Sequence, residues 1–136
     1  MKQKIRKRGT AIVVTPKGIL VAAGRHKVFL LPGGGTNRGE SREHAAKREL
    51  KEETGLKTVG CKYLFTFNEP KFTDTGKPRE IVSLHKVFLI KAIGTPKPSH
   101  HDVKYLDYWL PGKNIQLSKS TEIIINAYLQ SGAMPW

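Results

Sequence analysis

The chain has 136 residues, 38% hydrophobic and 26% charged, which suits one folded domain over 1–136 rather than two full cores or a disordered tail. No apolar run approaches the roughly 20 residues that cross a bilayer, and the single cysteine, Cys61, excludes an internal disulfide and suits a reducing, cytoplasmic setting. With 24 Lys and Arg against 11 Asp and Glu, the net charge of +13 draws anions, whether nucleotide, nucleic acid or an acidic surface, without choosing among them.

In chain order, residues 1–8 (MKQKIRKR) read as a basic N-terminal tail, solvated and frayed. The apolar run behind them is only about four residues, short of the roughly 7–15 of a secretory leader. Thr10–Thr15 reads as a buried strand. Pro16-Lys17-Gly18 is a turn, and Ile19–Ala23 is the hairpin partner. Val28–Leu31 is a third strand, stopped by Pro32 and three glycines. A helix is expected from Ser41 to Thr54, with Ser41 as cap, Glu43 at the positive end and Gly55 as terminator. Cys61–Phe67 reads as a half-buried strand, and Tyr63, Phe65 and Phe67, at alternating positions, fall on one face, as core more often than as a stacking platform for a base. Glu69–Arg79, broken by Pro70, Gly76 and Pro78, is a loop. Glu80–Ile93 is the longest strand. A second Pro-containing loop spans Thr95–His101, and Tyr105–Leu110 is a short strand. Ser118–Gln130 closes as a helix, with Ser120 able to cap it. Strands outnumber helices, so the class is α+β, a mixed sheet packed between helices.

The helix from Ser41 carries the chemistry. At about 100° per residue, Glu52 and Glu53 fall about 60° and 40° to either side of Glu49, so three carboxylates share one face. Ala46 and Leu50 make an adjoining apolar stripe. A like-charged pair such as Glu49/Glu53 costs a few tenths of a kcal/mol in an isolated helix. Five of the chain's 11 acids nevertheless lie between Glu40 and Glu53. Concentrating scarce carboxylates this way suits a hard cation, Mg²⁺ with Mn²⁺ able to substitute, which keeps waters and bridges to phosphate oxygens.

The stretch Gly34–Leu56, GGTNRGESREHAAKRELKEETGL, resembles the signature of the Nudix hydrolase (MutT-like) family. Gly34, Glu40, Arg48, Glu49, Leu50, Glu52, Glu53, Gly55 and Leu56 match its fixed positions. Seven identical residues at roughly 7% usage each coincide by chance on the order of once in 10⁸ placements. The resemblance implies a Nudix-type α/β/α sandwich and Mg²⁺-dependent hydrolysis of a nucleoside diphosphate linked to another group. It also implies Glu49, Glu52 and Glu53 as metal ligands, Arg48 as the residue that orients them, and Glu40 as a brace for the loop. Glu52, Glu53, Arg48 and Asp102 form the expected catalytic set. The general base is either a box glutamate or a later acid. Asp102, in the loop PSHHDV, ranks ahead of Asp107.

Gly34, Gly35 and Phe29 form the expected substrate-binding set, although residues such as Phe29 and Trp109 are more often core than a platform for a base. Adjacent His100 and His101 with Asp102 have the look of a metal cluster, but histidines in a Pro-flanked loop are more often simply exposed. Pro70 lies 14 residues past Leu56. A proline near that offset occurs in the ADP-ribose-cleaving branch of the family, but offset and chain length fit that branch imperfectly. The substrate expected first is a (d)NTP or modified nucleotide. The alternatives are an RNA 5′ end or a dinucleoside polyphosphate, with the basic tail holding the longer anion. From another class comes a nucleotide or RNA sensor without turnover; such modules usually carry broken boxes, and this box is intact. Monomer and homodimer both stay open, and no membrane partner is expected.

Overall fold

The computed structural model describes residues 2–136. Met1, the first residue of the expected tail and domain, lies outside the described residues. The order is β1 (Lys4–Ile12), β2 (Val14–Thr15), β3 (Gly18–Ala23), β4 (Val28–Leu30), β5 (Gly33–Gly35), α1 (Arg42–Thr54), β6 (Lys57–Asn68), β7 (Ile81–Ile93), β8 (Tyr105–Trp109), β9 (Gln116–Leu117) and α2 (Lys119–Ser131). Two sheets form. One runs β5-β1-β7-β6, with β1 and β7 parallel. The other runs β2-β3-β4-β9, with β8 on the free side of β3. The fold is α+β, with mixed sheets and two helices.

The parallel pair β1/β7 sets the architecture, because alternate residues of each strand face opposite layers. Ala11, Val13, Phe88 and Ile90 join Ala46 and Leu50 of α1 in one core. Ile12, Val87 and Leu89 join Val21, Phe29, Ile124 and Ile125 in the other, where β3, β4 and α2 pack. Burying a side chain such as Leu50, which is fully enclosed, contributes roughly 1.5–3 kcal/mol. Both helices are capped as their sequences require. Ser41 Oγ accepts from His44 N–H at 3.0 Å, and the Gly55 N–H bonds to Lys51 O at 2.8 Å. Ser118, not Ser120, caps α2 by accepting from Thr121 N–H at 3.2 Å.

Three expectations change. The basic stretch is not a frayed tail: Lys4–Arg8 is the first half of β1, paired in register with Ile81–His85 of β7. Apart from Ile5 its side chains are all charged, so no apolar period announces the strand; the partner strand creates it. The glycines expected to stop a strand form one themselves, since Gly33–Gly35 pair with Thr10–Arg8. Tyr63, Phe65 and Phe67 do not share a face. The β6/β7 register shifts between Tyr63 and Phe65, so Tyr63 pairs with Phe88 while Phe65 and Phe67 pair with Val87 and His85 on the opposite side. The extra residue at this bulge reverses the alternation. Phe65 and Phe67 pack on the α2-side core, and Tyr63 meets Phe88 edge-on at 5.8 Å.

Candidate active site

Arg48 organises the site. Its Nε and Nη2 donate to the two oxygens of Glu40 at 2.8 and 2.9 Å, a two-pronged pairing. Nη2 also reaches Gly35 O at 3.0 Å, which ties α1 to β5. Nη1 donates to Glu49 at 2.8 Å and to Glu52 at 3.2 Å. Glu40, whose side chain is only 8% exposed, also accepts from the Asn37 N–H at 3.0 Å and meets His44 Nδ1 at 2.6 Å. The Arg48 fork, followed by the Asn37 N–H, holds the Glu40 carboxyl well below the usual carboxylate range. Glu40 in turn holds the Arg48 guanidinium firmly charged.

Glu53 sits one turn on and is held differently, accepting from the Gly33 N–H at 2.9 Å. Burial pushes its carboxyl up to about 7, with Glu49 and Glu52 adding repulsion, against the pull of the Gly33 N–H and Arg8. Gly34 lies opposite Glu49. A Cβ there would stand 2.6 Å from the Glu49 carboxyl carbon. The glycine is thus what lets that carboxylate lie against β5. Gly34→Ala is expected to lower kcat about 10–100-fold by displacing Glu49. Only a flexible side chain must yield, so the thermal midpoint should stay near wild type. Steady-state kinetics beside a melting curve check both.

The three box glutamates fit a divalent cation by their chemistry. All offer hard oxygens, and Glu53, raised by burial first and by Glu49 and Glu52 next, is a carboxylate that a nearby cation would favour. With Glu49 and Glu52 drawn to Arg48 and Glu53 to Gly33, their oxygens are not gathered as a ligand set. Among the described residues only His100, His101 and Asp102 bring three ligand atoms within 4.8 Å of one another. That trio stands in solvent, with His101 and Asp102 more than three-quarters exposed.

Asp102 lines the recess that also holds Glu53, Gly33 and Arg8. Asp107 is elsewhere, on β8, paired with Lys113 at 3.2 Å and bonded to the Tyr108 N–H. Phe29 is in the core, 6% exposed, and is not brought to this recess. Gly35 lies on the other face of β5 from Gly34, beneath the Arg6 guanidinium; a Cβ there would stand 2.5 Å from Arg6 Nε. Arg6 and Arg8 escaped the sequence reading as site residues, because they were counted with a tail. Once β1 is a strand, its alternation aims both along one face, and Arg8 senses Glu53, Glu69 and Glu49.

The NUDIX domain family model matches residues 5–127, and the chain belongs to the Nudix hydrolase family. It is 31% identical over 102 residues to an ADP-ribose pyrophosphatase of Methanocaldococcus jannaschii, covering 75% of this chain and 57% of that relative. It thus spans little more than half of that curated relative. A Nudix hydrolase family member from Chromobacterium violaceum superposes with a TM-score of 0.76 at 34% identity, covering 96% of this chain and 80% of the other. A MutT Nudix hydrolase from Burkholderia pseudomallei shares the fold with a TM-score of 0.76 at 21% identity, covering 91% of this chain and 98% of the other. Among the described residues, no helix is long and apolar enough to cross a membrane.

Proposed function

We propose that this chain hydrolyses the pyrophosphate bond of a nucleoside diphosphate joined to another group, with Mg²⁺ or Mn²⁺ held by Glu49, Glu52 and Glu53. The observation that carries this is the half-buried Glu53, which feels the charge of Glu49 and Glu52 and lies in a recess shared with Arg8 and Asp102. A bound cation would neutralise phosphate oxygens and lower the pKa of a water. The chain's own part is to position and to move a proton. Arg48 keeps Glu49 and Glu52 on one side of α1, Glu40 locks Arg48 to the loop, and Gly33 fixes Glu53. Asp102, on the rim of the recess, accepts the proton from the attacking water, and no covalent enzyme intermediate is needed.

Nucleoside triphosphates and their modified forms are the first substrates to test, with ADP-ribose beside them because the archaeal relative is an ADP-ribose pyrophosphatase. An RNA 5′ end or a dinucleoside polyphosphate is the alternative. Its test must neutralise Lys4 and Lys7 rather than delete residues 1–8, since deletion removes half of β1. A sensor without turnover is disfavoured by the complete Arg48–glutamate network. The lone Cys61 fits a cytoplasmic setting. Chromatographic separation of the hydrolysis products from dNTPs, oxidised dNTPs, ADP-ribose, dinucleoside polyphosphates and 5′-triphosphate RNA, with Mg²⁺ and with EDTA, decides the reading. Turnover of at least one compound that EDTA abolishes is expected. Inert compounds throughout, or turnover that ignores EDTA, would sink it.

A further inference from the structure

Beyond the first turn of α1 the sheet β5-β1-β7-β6 carries an open face that the hydrolytic chemistry does not use. Gly9, Lys86 and Phe88 mark the side of the sheet on which α1 lies. A Cβ on Gly9 would meet the helix backbone, Lys86 is in register with Gly9, and Phe88 packs with Ala46 and Leu50. By alternation Lys7 and its neighbour Leu84 belong to the same side. Arg42, the first residue of α1, reaches down to this face, and its Nη1 donates to Leu84 O at 3.4 Å. From β6, Thr66 lies opposite Lys86 and Tyr63 opposite Phe88. Arg42, Tyr63 and Lys86 line one depression of about 240 Å³ with Ser41, Glu43 and Phe88.

Two properties set this face apart. The first is an aromatic ring that is exposed and yet held. Tyr63 is 55% exposed, meets Phe88 edge-on at 5.8 Å, and shares a hydrogen bond of 2.8 Å between its hydroxyl and Thr66 Oγ1. The bulge after Tyr63 is what turns it away from the core that takes Phe65 and Phe67. A ring pinned at its edge and its hydroxyl has little rotamer freedom left to lose when something stacks on it. The second is free positive charge. Among the described residues, Lys7, Arg42 and Lys86 take part in no ion pair. Lys86 Nζ stands 5.8 Å from the centroid of the Tyr63 ring. Glu43, the acid among the lining residues, is taken by Lys47 at 2.9 Å. Strand spacing puts the Cα atoms of Lys7 and Lys86 roughly 8 Å apart, so an extended anion crossing the face meets both.

Unpaired cations around a presented ring match a ligand that alternates anions with flat rings. Nucleic acid does so, with phosphates for the cations and an unstacked base for the ring. An acidic peptide would meet the cations and leave the ring unused. A duplex would keep its bases stacked on one another and away from Tyr63.

We propose that this face binds single-stranded nucleic acid, with one base stacked on Tyr63 and the backbone running across Lys7, Arg42 and Lys86. Arg42 precedes Glu53 by 11 residues of α1, about 16 Å along the helix axis. The surface is therefore separate from the recess of Glu53, and the proposal does not rest on the metal reading.

Fluorescence anisotropy with a 3′-labelled 12-nucleotide RNA that carries a 5′ hydroxyl, in EDTA, keeps terminal phosphates and metal out of the measurement. Tyr63→Leu is expected to weaken binding about tenfold, the share of one stacked base, while Tyr63→Phe keeps most of it. Lys7→Gln combined with Lys86→Gln is expected to weaken binding about tenfold or more and to flatten the slope of log K against log salt by about 1.4, as two lost contacts to a single strand require. Lys57→Gln combined with Lys91→Gln removes the same charge elsewhere, at the end of β6 that pairs with Ile93 and Gly60's neighbour on β7, and should cost far less. Melting curves establish that each variant is folded. Tyr63→Leu binding as tightly as wild type, or equal losses in the two lysine pairs, would overturn the proposal. So would a polyglutamate peptide of matching charge that displaces the labelled RNA as readily as unlabelled RNA does, since the partner would then be an acidic protein.

Discussion

Glu53→Gln is expected to lower kcat by about three orders of magnitude, or roughly 4 kcal/mol of transition-state stabilisation. The fold should survive intact. Glutamine has nearly the same shape and can still accept the Gly33 N–H that Glu53 accepts at 2.9 Å. What it loses is the charge. In the metal-free protein that charge is unfavourable, because burial and the neighbouring Glu49 and Glu52 push the carboxyl up to about 7. The variant should therefore melt at the wild-type temperature or slightly above it, while its response to added Mn²⁺ weakens. Kinetics at saturating substrate and melting curves with and without Mn²⁺ measure the two halves. A variant that retains more than a tenth of wild-type kcat would take Glu53 out of the chemistry. A variant that is inactive because it unfolds would leave the role of its charge unsupported.

Gly9→Ala should be the most damaging single change to the fold. Gly9 lies on the face of β1 that α1 covers, and the helix backbone touches it. A Cβ there would overlap the carbonyl oxygen of Arg42 and stand 2.6 Å from the amide nitrogen of Ala46. Neither atom can rotate away, since both belong to the hydrogen-bonded ladder of α1. The helix must lift as a unit, opening the core formed by Ala11, Ala46, Leu50 and Phe88. A cost above about 4 kcal/mol follows, because overpacking and lost burial add. For a domain of this size that is a fall of roughly 15 °C in Tm. Catalysis should fail with it, because α1 carries Arg48, Glu49, Glu52 and Glu53. A Gly9→Ala protein that melts within 3 °C of wild type would mean that α1 does not sit this close to the sheet. In Gly34→Ala the added methyl meets a side chain that can swing aside; in Gly9→Ala it meets a backbone that cannot.

The helix α1 was legible from its residues because each of its signals is local. Ser41 caps, Gly55 terminates, and the spacing of Glu49, Glu52 and Glu53 places the acids on one face. The box needs no distant partner to be recognised. The strands Gly18–Ala23 and Ile81–Ile93 announced themselves for the same reason, as apolar runs between turns. Lys4–Arg8 was misread because its strand character is borrowed from β7 across more than 70 residues, and a single apolar residue, Ile5, makes no period to detect. The face of Tyr63 was misassigned because one bulge residue, invisible in the sequence, reverses every side chain beyond it.

By itself, then, the order of residues determined the acid-bearing helix, its caps and the hydrolase family, all of them matters of spacing within a few turns of chain. Only the folded molecule decided that Arg8 faces Glu53, that Phe29 is core, and that Arg8, Arg79 and His85 surround one cavity with their donors unpaired. Arg8 lies 45 residues from Glu53 and more than 70 from Arg79 and His85 along the chain. Their meeting depends on strand register and sheet order, and both are set by which apolar faces bury against each other rather than by any neighbour in sequence.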